Sequence, residues 1–201
     1  ELHLNKGPSP IYDTNTEVWD YSKGCYTANE FFYNDLYHNF DWLTILRDPV
    51  ERVISEYYFI KSFFTGGVEV ALRTWSHLPT EARENFPLYI KIPETNNSQV
   101  KNLMGMGFMH EYEVTEEDCD MLIERMEELN FKVGIMEKMK ETLSYFNKSF
   151  GWDMKHTSMP HNRKNNGKPI IEESLREVIK EYNQWDIKLY NYFLEKFDSV
   201  I

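Results

Sequence analysis

Apolar, β-prone residues cluster at Trp42, Leu43, Ile45 and Leu46, and the run stops at Arg47-Asp48-Pro49. From there the spacing becomes helical, with apolar side chains at Val50, Val53, Ile54 and Tyr57. The pattern predicts a buried strand that hands over within three residues to a helix reaching about Phe64, where Gly66-Gly67 breaks it. Asp48 suits the N-cap, and Pro49 suits the first helical position, where a missing N–H costs nothing.

The same logic extends along the chain. Residues 1–4 read as a short strand, 5–26 as loop, and 27–37 and 68–75 as short helices. The stretch carrying Pro79, Pro87 and Pro93 reads as irregular. Thr115-Glu-Glu-Asp118 resembles a capping box, and Cys119, Leu122, Met126 and Leu129 form the stripe of the helix it opens. Phe131 to Ile135 predicts a second buried strand. The next helix carries Met139, Leu143, Phe146 and Phe150 on one face and stops at Gly151. A final helical region covers about Glu172 to Phe197. Its stripe is interrupted by Asp186, which predicts a break near Asn183 with Asp186 near the new cap; the alternative is a functional carboxylate. The order of elements predicts an α/β fold with a parallel sheet flanked by helices.

The strand–helix junction carries the chemistry. Arg47 stands where the strand ends, and ligands of open α/β sheets bind at the carboxyl ends of strands. Arg52 and Ser55 are three residues apart and share a helix face. A guanidinium fork and a hydroxyl suit a phosphate monoester. The plainer reading is a buried strand and helix with a surface arginine. Tyr57, Tyr58 and Phe59 read as core and groove wall.

Charge narrows the partners. A net charge of −11 and a pI near 5.0 disfavour generic nucleic-acid binding. No apolar run is long enough to span a membrane, and no signal peptide is visible after the opening Glu1. Cys25 and Cys119 allow one bridge or none. Asn96-Asn97-Ser98 and Asn147-Lys148-Ser149 fit the glycosylation sequon. The six histidines lack metal-ligand spacing, so no metal site is expected.

The string Arg47-Asp48-Pro49-x-x-Arg52-x-x-Ser55 after a strand resembles the 3′-phosphate-binding motif of sulfotransferases that use PAPS (3′-phosphoadenosine 5′-phosphosulfate). Within that family the chain looks most like the heparan sulfate 6-O-sulfotransferase branch. Asn96-Asn97-Ser98-Gln99-Val100-Lys101 is similar to an Asn-Asn-x-Gln-Val-Arg patch of the branch. Val133-Gly134-Ile135-Met136-Glu137 resembles its Phe-Gly-Leu-Thr-Glu strand end, and Asp186-Ile187-Lys188-Leu189-Tyr190 its Asp-x-x-Leu-Tyr helix. The resemblance implies a P-loop-kinase-like sulfotransferase fold. No glycine-rich Lys-Thr/Ser donor loop precedes Arg47. The expectation is therefore one sulfotransferase-like domain over residues 1–201, truncated at its N-terminus, with the first strand and donor loop missing.

By the same resemblance, Arg47 and Ser55 grip the 3′-phosphate, with Arg52 beside them. Arg163, Lys164 and Lys168, in a basic loop over 155–169, help hold the nucleotide; the alternative is a solvated loop. Asn97, Gln99 and Lys101 face acceptor or donor, with a structural hydrogen-bonding role as the alternative for the two amides. His3, in Glu1-Leu2-His3-Leu4, matches the branch's Gly-Leu-His base, with an ordinary strand-end histidine as the alternative and Glu1 as a second candidate base. His38 falls at the wrong end of its strand. The implied reaction moves a sulfuryl group from PAPS to a hydroxyl acceptor, a glycan by resemblance, and releases PAP (adenosine 3′,5′-bisphosphate). The implied compartment is the Golgi lumen for a eukaryotic chain and the cytoplasm for a bacterial one. A non-catalytic nucleotide- or glycan-binding module and a nucleotide kinase are the competing readings.

Overall fold

The computed structural model describes residues 41–66, 78–105, 111–152 and 171–201. The strand expected at 1–4, the loop at 5–26, the helices at 27–37 and 68–75 and the basic loop at 155–169 lie outside these residues.

Strand β1 is Leu43–Leu46 and strand β2 is Lys132–Ile135. They pair in parallel, from Leu43 opposite Lys132 to Leu46 opposite Ile135, so their carboxyl ends lie side by side. The described residues thus form a helix-rich α/β fold around a small parallel sheet. Leu46 is buried, as expected, but Leu43 and Ile45 are 40% and 39% exposed. The pleat sends them to the opposite face, and that face is not covered among the described residues.

Helix α1, Pro49–Thr65, starts as its sequence dictates: Asp48 Oδ1 accepts the Glu51 N–H at 2.9 Å and Pro49 occupies the first turn. Val50, Val53, Ile54, Tyr57 and Ile60 form its buried stripe. The proline-bearing stretch is helical in short pieces: α2 over Thr80–Glu84, α3 over Phe86–Tyr89, a 3₁₀ turn at Pro93–Thr95, and α4 over Ser98–Leu103. The irregular stretch expected there is corrected for a physical reason. Pro79 caps one piece, and Pro87 and Pro93 sit in first turns, where proline starts a helix rather than breaking it.

Helix α5, Glu116–Glu128, opens on the full capping box of Thr115 and Asp118. Cys119, Leu122 and Met126 are buried as expected, together with Ile123, whereas Leu129 is only half-buried. Cys119 is a free thiol whose Sγ donates to Trp185 O at 3.4 Å, and burial pushes it up to about 11. Helix α6, Met139–Phe150, ends where Gly151 adopts a φ of 67°.

Gly134 is where α6 meets β2. A Cβ there would lie 2.2 Å from Thr142 Cγ2 and 2.9 Å from Phe146 Cζ. Thr142 is held in place, since its hydroxyl accepts from Ile135 N at 2.8 Å and donates to Ile135 O at 2.9 Å. Gly134→Ala is therefore expected to cost about 1–3 kcal/mol, the range for overpacking a close-packed core. Denaturant unfolding measures it; an unchanged midpoint would mean that α6 shifts freely.

The C-terminal region divides, as predicted, into α7, Glu173–Tyr182, and α8, Gln184–Val200, with Asn183 at the break. The break lets the two halves serve different cores. Ile179 of α7 packs with Val53, Tyr57, Tyr89 and Ile90, whereas Leu189, Tyr190, Phe193 and Phe197 of α8 pack with Leu46, Val100, Val133 and Ile135. Among the described residues no helix is long and apolar enough to cross a membrane.

Candidate functional site

The polar segments 95–99 and 183–186 meet between the two cores and cap each other. Asn97 Oδ1 accepts from Trp185 N at 3.0 Å and Asp186 N at 3.1 Å, at the start of α8. Asp186 returns the contact: its carboxylate accepts from Gln99 N at 3.1 Å and Val100 N at 2.9 Å, at the start of α4. Asp186 lies near the cap of its own helix, as expected, three residues after Asn183 in the first turn of α8, but its carboxylate caps a different helix. Asn97 takes a φ of 48°, a left-handed conformation that asparagine tolerates.

Arg52 lies in this junction and not in an anion site. Its guanidinium donates to Glu56 Oε2 at 2.8 Å, Thr95 O at 3.0 Å and Asn183 Oδ1 at 3.4 Å, and its Nε is 3.6 Å from Asp186 Oδ2. The sequence expectation placing Arg52 beside Ser55 on a phosphate is corrected by these internal partners. Burial raises the carboxyls of Glu56 and Asp186, with Arg52 opposing the shift.

Asn97 and Lys101 are likewise turned inward. Lys101 is 2% exposed, donates to Pro93 O at 2.6 Å, and burial lowers its ammonium to about 8. A lysine value depressed in the folded state adds stability above its unfolded value and loses it as pH falls through the folded one. Unfolding free energy is therefore expected to drop as pH falls from about 10.5 to about 8, and Lys101→Met to flatten that slope. Pro93 O keeps the Asn96 N–H at 3.2 Å in that variant. Denaturant midpoints across this pH window test the assignment; an unchanged slope would remove it.

Gln99 does something else. Its Nε2 donates to Arg47 O and its Oε1 accepts from Arg47 N, both at 2.9 Å, closing a two-bond clamp on the residue that ends β1. The next amide, Asp48 N, donates to Glu137 Oε1 at 3.1 Å, and Glu137 Oε2 accepts from Tyr190 OH at 3.1 Å. Burial and the Glu137 carboxylate hold the Tyr190 phenol well above its usual value, so it remains a donor. Glu137 stands just past the end of β2, as Arg47 stands past the end of β1.

The Arg47 side chain is half-buried, and among the described residues its guanidinium has no hydrogen-bond or ion-pair partner. Ser55 is half-buried too, with no partner for its hydroxyl among the described residues. It lies seven residues beyond Asp48, about two turns, on the side of α1 away from the buried stripe. A family model for sulfotransferases matches residues 14–193. The chain belongs to the sulfotransferase family. No curated protein and no solved structure matches it.

The family makes sulfuryl transfer the chemistry in which a sulfotransferase's donors at the strand ends are read. His3, Arg163, Lys164 and Lys168 lie outside the described residues. Among the described residues no group of His, Cys, Asp and Glu is placed to hold a metal ion. Sequence reasoning did not assign Glu137 a site role. The available signal was position: an acidic residue two places after an apolar strand, at the same end as Arg47.

Proposed function

We propose that the protein transfers a sulfuryl group from PAPS to a carbohydrate hydroxyl, with Arg47 and Ser55 as the contacts of the donor's 3′-phosphate. The observation that carries this reading is the Arg47 guanidinium. In a junction where Arg52 and Asn97 are engaged internally, Arg47 stands at the carboxyl end of a parallel strand without a partner among the described residues. A planar fork of donors and a hydroxyl are the groups that suit a phosphate monoester.

In this reaction the acceptor oxygen attacks sulfur, the bond from sulfur to the donor's phosphate oxygen breaks, and PAP leaves. The acceptor's proton passes to a base, for which His3 is the residue proposed on sequence order and on the need for a group neutral near pH 7. Arg163, Lys164 and Lys168 add positive charge toward the nucleotide phosphates in the same reading. The carbohydrate acceptor rests on the sequence patches at 96–101, 133–137 and 186–190. Incubation with sulfur-35 PAPS and a panel of desulfated glycosaminoglycans tests it. Label on a glycan supports the reading. Binding of PAP without transfer to any acceptor would point instead to a non-catalytic module, and preference for ATP over PAP to a kinase.

A further inference from the structure

We propose that Gln99 and Glu137 are positioning residues for Arg47, and that helix α8 sets them through Asp186 and Tyr190. The inference rests on the reading of Arg47 as a 3′-phosphate contact.

The sheet pairing ends at Leu46 opposite Ile135, so among the described residues the backbone of Arg47 and the amide of Asp48 have no neighbouring strand to hold them. Side chains take over. Gln99 binds both the N–H and the C=O of Arg47, and Glu137 binds the N–H of Asp48. With these groups fixed, the peptide planes on both sides of the Arg47 Cα cannot rotate, and the Cα–Cβ bond has a single direction. A guanidinium at the end of a long side chain is then aimed from a fixed root.

Both clamps lead back to α8. Asp186 holds Gln99 N, and Tyr190 holds the second oxygen of Glu137. These two residues are four apart, so they lie on one face of the helix. Two routes from one helix face therefore converge on one dipeptide. That dipeptide adjoins the guanidinium that has no partner among the described residues.

Calorimetric titration of the protein with PAP, and separately with adenosine 5′-phosphate, tests the inference, because only PAP carries the 3′-phosphate. Tyr190→Phe, Glu137→Ala and Gln99→Ala are each expected to weaken PAP binding by about tenfold, on the scale at which supports of a ligand-holding side chain are felt. Affinity for adenosine 5′-phosphate should stay at the wild-type value. Glu137→Gln keeps an oxygen for Asp48 N and should restore most PAP affinity. Combined with Arg47→Ala, none of the three should cause further loss. Tyr190→Phe keeps its ring in the core and removes one hydroxyl, so it reports even where the alanine variants do not fold.

If Arg47→Ala weakens PAP binding while Tyr190→Phe, Glu137→Ala and Gln99→Ala all bind PAP as the wild type does, the positioning role is overturned and the 3′-phosphate reading stands. Equal losses for both nucleotides would also overturn it, leaving a structural role. PAP affinity unchanged in Arg47→Ala overturns the 3′-phosphate reading, and the positioning role with it.

Discussion

Arg47→Ala is expected to lower the affinity for PAP by about 1.5–3 kcal/mol, roughly ten- to hundredfold, the range for a hydrogen bond to a charged group. The substitution removes a guanidinium that has no structural partner among the described residues. Folding stability should therefore change little, and the loss should appear in binding. Gln99 still holds the Arg47 backbone in the variant, since it contacts only N and O. Ser55→Ala removes a neutral donor and should cost less, about 0.5–1.5 kcal/mol. Arg47→Lys retains the charge but loses the planar fork and should fall between wild type and alanine. Calorimetric titration with PAP decides the matter. Wild-type affinity in Arg47→Ala would mean that the strand end does not hold the 3′-phosphate.

The junction from β1 to α1 was legible in the sequence because its causes are local. A β-prone run, a capping aspartate and a first-turn proline lie within a few residues of one another. The capping box at Thr115 and the glycine stop at Gly151 were legible for the same reason. Arg52 was not. Spacing says that it shares a helix face with Ser55, but not what that face meets. Besides Glu56, one turn on in the same helix, Arg52 is engaged by Asp186 and by groups of Thr95 and Asn183, the last two 43 and 131 residues away in sequence. Asn97 and Asp186 show the same limit. Each is a capping residue type, and each caps a helix distant in the chain instead of its own. The exposure of Leu43 and Ile45 depends on which layers cover the sheet, which a run of apolar letters does not encode.

Asp186→Ala is expected to be the most damaging single change to the fold, costing about 3–5 kcal/mol, the range for breaking a buried charge pair by removing one partner. The carboxylate is 0% exposed, lies 3.6 Å from Arg52 Nε, and accepts the N–H groups of Gln99 and Val100. Alanine leaves a buried guanidinium short of one counter-charge and two amides at the start of α4 without an acceptor. Against a typical stability of about 5–15 kcal/mol, that is a large fraction. Asp186→Asn keeps one oxygen as an acceptor and should recover part of the loss. The two variants also differ from wild type in their pH dependence. Burial raises the Asp186 carboxyl above its ordinary range, so its contribution is greatest below the unfolded value and declines as pH rises through the folded one. Asp186→Asn should flatten that decline in part, because Glu56, raised by the same burial, still titrates. Urea unfolding at pH 7 and across the acid range measures both effects. If Asp186→Ala unfolds at the wild-type midpoint, the reciprocal caps between α4 and α8 do not hold those helices together. In that case the alignment of Gln99 on Arg47 must come from the apolar packing of Val100 and Leu189 alone.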